Sequence, residues 1–362
     1  MKSRRILVLA SKPKGLAPNQ RFRFEQWAPY LARDHGIELE LLPFESPELA
    51  EVLYRPGHHF KKAWRISRDF FRRAWALRKA RAFDAILIVR EAALIGPAIY
   101  ERLLARTGTP IIYDFDDSIW MQQPDVKNSI FSRLHFHRKT KAICRVADAV
   151  SAGNEFLANY ARRWNANVHV VPTTIELVDY DGRPEPTPDR PFVVCWTGST
   201  TTLVHFENAR PALEELARRL PLTVKIICNK PPQQPIAGAE MRFVPWAADT
   251  EAREIADSHA GIMPLPDSEF CRGKCGLKAL QCMAAARPVI VSPVGVNTTI
   301  VQDEKNGLLA STTEEFVDAL TKLAASPELR TKLGAAAYET VRANYSAAVG
   351  ASKFAAVVRS VV

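Results

Sequence analysis

Residues 269–297 read EFCRGKCGLKALQCMAAARPVIVSPVGVN. Arg272, Gly273, Lys274 and Gly276 stand directly before a short apolar helical pattern, which runs at once into a strand pattern at 287–295. A helix that only filled a core would not need such an opening. The spacing predicts a helix from about Cys275 or Gly276 to about Ala285, with Leu277, Leu280 and Ala284 facing inward. Lys274, Lys278 and Gln281 fall on an adjacent polar face. A helix N-terminus offers backbone N–H groups and a partial positive charge, which suit phosphate. Glycine lets an anion approach the backbone closely, and lysine adds charge. Gln281 lies within reach of a ribose hydroxyl. The alternative is a capped surface helix with its lysines lying along it.

The same helix-to-strand alternation runs along the whole chain. Strand-like runs occupy 5–10, 37–44, 84–89, 109–115, 147–152 and 168–172, with helical patterns such as 20–35 and 92–106 between them. The segment DYDGRPEPTPDRP, 179–191, carries four prolines among charges and reads as a linker. The alternation then resumes with a strand at 192–198, a helix at 203–219 and strands at 222–228, 260–265 and 287–295. Two doubly wound α/β domains with parallel sheets are the simplest account. Ligands in such folds sit at the carboxyl ends of the strands, here expected in a central cleft between the domains.

Length and composition agree with this: 362 residues, 47% of them hydrophobic, suffice for two cores. No apolar run is long enough to span a bilayer, and Ile6–Ala10 is too short for a signal peptide and reads as a first strand. Six cysteines match no usual zinc spacing, so free thiols in a reducing cytoplasm, and no metal, are expected. The net charge of +10 is uneven: residues 1–185 hold 30 Lys+Arg against 21 Asp+Glu, leaving 19 against 18 for the remainder. The first half therefore calls for an anionic partner.

Three further stretches carry chemistry. In VVCWTGSTTTLVHFE a strand ends at Gly198, and Ser199 to Thr202 lead into a helix, a turn suited to a phosphate or sugar or to simple N-capping. In YDFDDSIW, Asp114, Asp116 and Asp117 follow a strand. Carboxylates so close are costly unless paired or used. A divalent-metal site and an N-cap network are the rivals to a catalytic role. In SKPKGLAPNQRFR, Gly15, Arg21 and Arg23 are candidates for a phosphate of donor or acceptor, or for surface positions at a helix start.

Residues 60–81, FKKAWRISRDFFRRAWALRKAR, hold nine basic residues and one acid. Lys61, Lys62, Trp64, Arg65, Arg68, Arg72, Arg73 and Trp75 make an amphipathic helix suited to an anionic membrane surface. In the plainer reading the aromatics dock on the domain and the basic face is only solvated. No nucleic-acid-binding motif appears, so no nucleic-acid partner is expected.

The run GIMPLPD..F.RGKCGLKALQCMAAARPVIVSPVGVN..IV.D..NGLLA resembles the C-terminal domain of GT-B glycosyltransferases of the family 4 type (glycosyl transferases group 1), continuously from 192 to 310. NQRFRFEQWAPYL, PIIYDFDDSIW and ADAVSAGNEFLANYA..WNANVHVVPTTIE resemble one subgroup of that family. The resemblance implies the GT-B fold, with two Rossmann-like domains. An acceptor-binding domain would span 1–180, a linker 181–191 and a nucleotide-sugar domain 192–345. Residues 346–362 would form a helix crossing back. It implies a metal-independent, retaining hexosyltransferase, and the thiols with the basic stretch 60–81 point to a cytoplasmic protein, peripheral on the inner face of the cell membrane. The sugar would pass from an NDP-sugar to a hydroxyl of a glycan or lipid-linked acceptor, in polysaccharide or glycolipid synthesis. The NDP-sugar is a co-substrate, and no cofactor is implied.

Carried onto this sequence, Gly198, Ser199, Lys274, Cys275, Gly276, Leu277, Lys278 and Gln281 would bind the donor. Asp116, at a position often His in the family, would touch the transferred sugar or the acceptor hydroxyl. Asp117 or Asp114 would orient it or pair with a base such as Arg90. Departures are visible. Gly273 and Gln281 replace the two glutamates of a Glu-x7-Glu motif, threonines replace the Arg and Lys after the glycine turn, and Ala286 replaces a glycine. An NDP-sugar epimerase on the same fold and a non-catalytic membrane-associated scaffold with a degenerate donor site stay open.

Overall fold

The structure is a computed structural model and describes residues 3–53, 55, 57–94, 96–121, 138–180 and 191–362. Backbone contacts divide the chain into two compact units, Met1–Thr173 with Ala347–Val362, and Thr174–Ser346. Most of the expected linker, 181–190, lies outside the described residues.

The first unit is built on β1 (Arg4–Ala10), β2 (Ile37–Pro43), β3 (Ala85–Val89), β4 (Ile111–Phe115), β5 (Ala149–Ala152) and β6 (Val168–Val170), in spatial order β2-β1-β3-β4-β5-β6. All five pairings are parallel. Such strands are covered on both faces, which is why AILIV and most of RRILVLA are continuous apolar runs. Helix α1 (Gln26–His35) ends at Gly36, which takes the left-handed conformation that favours glycine, φ 63°. Helix α2 (His59–Ala76) follows β2.

The second unit holds β7 (Phe192–Thr197), β8 (Leu222–Cys228), β9 (Glu240–Pro245), β10 (Ala260–Met263), β11 (Val289–Val291) and β12 (Leu308–Leu309), again all parallel, in order β12-β11-β10-β7-β8-β9. Helix α3 (Leu277–Ala284) connects β10 to β11. Its buried residues begin at Ala279, so the opening turn is left at the rim of the core. The chain enters and leaves this unit side by side, with Ile175 N donating to Tyr345 O at 2.8 Å. Helix α4 (Ala347–Arg359) then packs in the first unit, where Phe354 stacks on Trp27 of α1 at 5.5 Å between ring centres. The chain thus has the GT-B architecture, two α/β units on six-stranded parallel sheets.

Candidate functional site

The opening of α3 explains the glycines of the 269–297 stretch. Gly276 sits at φ 70°, left-handed backbone that costs an L side chain about 1–2 kcal/mol. A Cβ there would also lie 2.3 Å from Ile300 Cδ1. Gly295, at φ 58°, lets the loop after β11 press against the backbone of Arg272, since its Cβ would lie 2.6 Å from the Arg272 carbonyl oxygen. Two strand-end loops therefore interlock beneath the first turn of α3. Ser292 Oγ accepts from Leu265 N at 3.0 Å, and Asn297 Nδ2 donates to Ser292 O at 2.9 Å, tying the β10 and β11 ends together.

Lys274 and Lys278 are half-buried on aromatic rings. The Lys274 ammonium lies 4.4 Å from the Phe270 ring centre and that of Lys278 5.2 Å from the Trp196 ring. Arg272 turns away to pair with Asp267 at 2.7 Å. Gln281 is 2% exposed, and its Nε2 donates to the Tyr180 hydroxyl at 3.2 Å. Tyr180, itself buried, was not singled out from the sequence. It reads there as one more linker residue, and only the fold brings it to α3.

At the end of β7, Gly198 is required by packing: a Cβ would lie 2.5 Å from the Trp196 ring and 2.7 Å from Thr202 Oγ1. The turn that follows caps itself. Thr202 Oγ1 accepts from Ser199 N at 3.0 Å, and Ser199 Oγ lies 2.9 Å from Thr201 Oγ1. Glu251 is buried beside Thr197, whose hydroxyl donates to it at 3.3 Å.

In the first unit, Arg23 differs from the phosphate contact expected of it. It is fully buried, donating to Asp114 from Nε at 2.7 Å and Nη2 at 2.5 Å, and to the Val171 carbonyl at 2.8 Å. Ser151 Oγ donates to the same carboxylate at 2.6 Å. Arg23 is therefore a structural cation, because Asp114 and the end of β6 enclose it. Arg21 remains half-buried over the Phe22 ring, 4.3 Å from its centre. Gly15, at φ 82°, donates its N–H to Glu25 at 2.9 Å.

Asp116 pairs with Arg90, Nη2 to Oδ1 2.7 Å and Nε to Oδ1 2.8 Å. Arg90 holds left-handed backbone at φ 61°, fixed by its N–H to the Asp114 carbonyl at 2.8 Å. Asp117 accepts from Ser118 N at 3.0 Å. The rival expectation, a helix starting at Asp117 or Ser118, is not met: residues 118–121 form turns, with Ile119 N donating to Asp117 O at 2.8 Å and Met121 N to Ser118 O at 2.9 Å. Behind this edge, Lys139 lies 3.2 Å from Glu91 and 3.6 Å from Glu101 and donates to Ala93 O at 2.7 Å. Burial pushes the Glu91 carboxyl up to about 7, against the pull of Lys139. Among the described residues no group of three or more His, Cys, Asp or Glu is placed to hold a metal ion.

Helix α2 corrects the reading of its arginines. Arg73 is buried and binds Leu42 O and Ala10 O at 2.8 and 3.0 Å, so it caps the ends of β1 and β2 instead of facing outward. Arg72 binds the carbonyls of Pro43 and Phe44, at 3.1 and 2.6 Å. Arg68 binds Ser46 Oγ and Glu48, and Arg65 binds Glu48 O. Lys62 reaches Arg55 O, while Lys61 is exposed. Phe60, Trp64, Phe71 and Trp75 are exposed, so these aromatics do not dock on the domain. Among the described residues no helix is long and apolar enough to cross a membrane.

Residues 192–326 match the family model for glycosyl transferases group 1, so the second unit is a domain of that family. D-inositol 3-phosphate glycosyltransferase of Nocardioides sp. is 33% identical over 108 residues, 29% of this chain and 22% of that protein. The chain thus matches about a fifth of that relative's length. Sucrose-phosphate synthase from Thermosynechococcus elongatus superposes with TM-score 0.67 at 15% identity, over 99% of this chain and 98% of the other. Anabaena HepE, solved in complex with UDP and glucose, gives TM-score 0.67 at 12% identity, over 99% and 100%. These likenesses fix the fold as that of the GT-B glycosyltransferases.

Proposed function

We propose that the chain is a retaining, metal-independent hexosyltransferase. It moves a sugar from a nucleoside-diphosphate sugar to a hydroxyl of a glycan or lipid-linked acceptor, in cell-surface polysaccharide or glycolipid synthesis. The observation that carries the reading is the opening of α3, where a left-handed glycine, seated on Ile300, starts a helix between two ring-supported lysines.

In the reaction the bond from the anomeric carbon to the diphosphate oxygen breaks and the acceptor oxygen bonds to that carbon. The acceptor proton leaves with the diphosphate. Negative charge grows on the diphosphate as its bond breaks. The N–H groups at Cys275, Gly276 and Leu277, with Lys274 and Lys278, meet it there, and such preorganised stabilisation lowers the barrier directly. Gly198 and Ser199 border the same donor. Gln281, buried and held by Tyr180, is assigned to the ribose side of the donor. Asp116, positioned by Arg90, receives a hydroxyl of the sugar or the acceptor, with Asp117 beside it. Gly15 and Arg21 border a phosphate. UDP is the first donor base to try, since HepE was solved with it. A basic first unit suits an acceptor presented on the anionic inner face of a cell membrane.

The test is acceptor-dependent release of nucleoside diphosphate from a panel of UDP-, GDP- and ADP-sugars, with lipid-linked glycan extracts as acceptors. Release that needs acceptor, with one product anomer matching the donor, supports the reading. Conversion of the sugar nucleotide without acceptor would make the chain an epimerase. No turnover and no nucleotide binding would leave the scaffold.

A further inference from the structure

In most surface helices the apolar face points inward and the charges outward. Helix α2 departs from this on both faces. Its inner face holds buried Asp69 and Arg73 beside Ile66 and Phe70. Asp69 accepts from Ser46 N at 2.9 Å, and Arg73 caps carbonyls at the carboxyl ends of β1 and β2. The outer face shows Phe60, Trp64, Phe71 and Trp75 at 87%, 59%, 78% and 59% exposure. At 3.6 residues per turn these four positions fall within about 60° of the helix circumference and run about 22 Å along its axis. Exposed Lys61 flanks the stripe on one side, with Arg68 5.7 Å from the Trp64 ring and Lys79 5.1 Å from the Trp75 ring. Small side chains, Ala63, Ser67 and Ala74, line the other side and are also exposed. These rings are exposed and lie outside the described cores of the unit, and an apolar stripe this continuous is uncommon on a free surface.

We propose that this stripe is an interfacial anchor: α2 lies in the plane of an anionic lipid surface, with the four rings at the boundary of headgroups and acyl chains. The partner is a bilayer because a convex ridge of aromatics edged by cations matches that boundary in shape, polarity and sign. The inference deepens the membrane part of the proposed function. It assigns the contact to the rings, and it removes Arg73 from it. The stripe lies on the same edge of the first sheet as the candidate acceptor groups, because Arg73 ties α2 to the carboxyl ends of β1 and β2.

The test is binding of the full chain to equimolar phosphatidylglycerol–phosphatidylcholine vesicles, against phosphatidylcholine alone, at physiological ionic strength without nucleotide. Trp64→Ser with Phe71→Ser is expected to weaken binding about tenfold or more, the scale of losing one buried large apolar side chain. Lys61→Gln is expected to weaken it about fivefold at most. Brominated lipids are expected to quench the fluorescence of Trp64 and Trp75, read as the signal lost in Trp64→Phe and Trp75→Phe. Wild-type binding by the Trp64→Ser, Phe71→Ser variant, or absence of that quenching, would overturn the proposal. So would a dimer in solution that the same substitutions dissolve. The vesicle assay needs no sugar nucleotide, so its failure is separable from failure of the transferase reading.

Discussion

The two units carry similar six-stranded parallel sheets, yet their carboxyl edges are built from different parts. In the first, charge is answered internally: Arg23 by Asp114, Arg90 by Asp116, Lys139 by Glu91 and Glu101. In the second, the edge is made of glycine turns and a helix opening, with Lys274 and Lys278 resting on rings and Arg272 drawn off to Asp267. A buried ion pair holds a fold together only while both partners stay, and losing one strands a charge. A lysine on an aromatic ring gives up little when an anion approaches. Under the proposed function, the first edge, with its fixed ion pairs, would receive the acceptor hydroxyl, and the helix opening of the second would receive the diphosphate.

The comparison can be broken most severely at Arg23. Arg23→Ala leaves Asp114 buried without its cation and is expected to cost about 3–5 kcal/mol in urea unfolding. A loss below about 1 kcal/mol would mean that the pair is not structural. Gly276→Ala is the counterpart in the second unit. The left-handed backbone and the Ile300 contact predict a loss of about 1–3 kcal/mol and a fall of about tenfold or more in nucleotide affinity. Unchanged affinity would detach the helix opening from the donor.

A smaller effect follows from Glu91. Its carboxyl is raised to about 7 in the fold, so the folded protein holds this proton more tightly than the unfolded chain. Stability from this group is therefore present at low pH and is lost as pH rises through about 7. Wild type minus Glu91→Gln should show that loss, about 1–3 kcal/mol between the ordinary carboxylate range and neutrality. A flat difference would contradict it. The smallest effect is at Ala286, which ends α3 in left-handed backbone at φ 55°. Ala286→Gly is expected to raise stability by about 0.5–1 kcal/mol.

The alternation of strands and helices was legible because buried parallel strands are written as unbroken apolar runs. What escaped was written otherwise. Strand β9, EMRFVP, is a largely exposed edge strand with charges along it, and β12 has two residues. The helix expected over 92–106 starts only at Ile99, because Gly96 takes φ 89° and Pro97 follows. That over 203–219 breaks into three pieces, the last beginning beside Pro211. Within the site, Gly276 and Lys274 were readable because their spacing is local. The burial of Arg23 was not, since its partner lies 91 residues away. Nor was the link from Tyr180 to Gln281, which spans 101. On α2, composition showed an amphipathic helix but not which face turns inward. That was decided by carbonyls at the ends of β1 and β2.

The most direct measurement is calorimetric titration of the chain with UDP, GDP, ADP, CMP and dTDP, repeated with Lys274→Ala. The account predicts that one diphosphate binds and that the substitution weakens it about tenfold. A melting temperature changed by less than a few degrees is also expected, because the lysine is only half-buried. Absence of nucleotide binding, or equal binding by the variant, would contradict it.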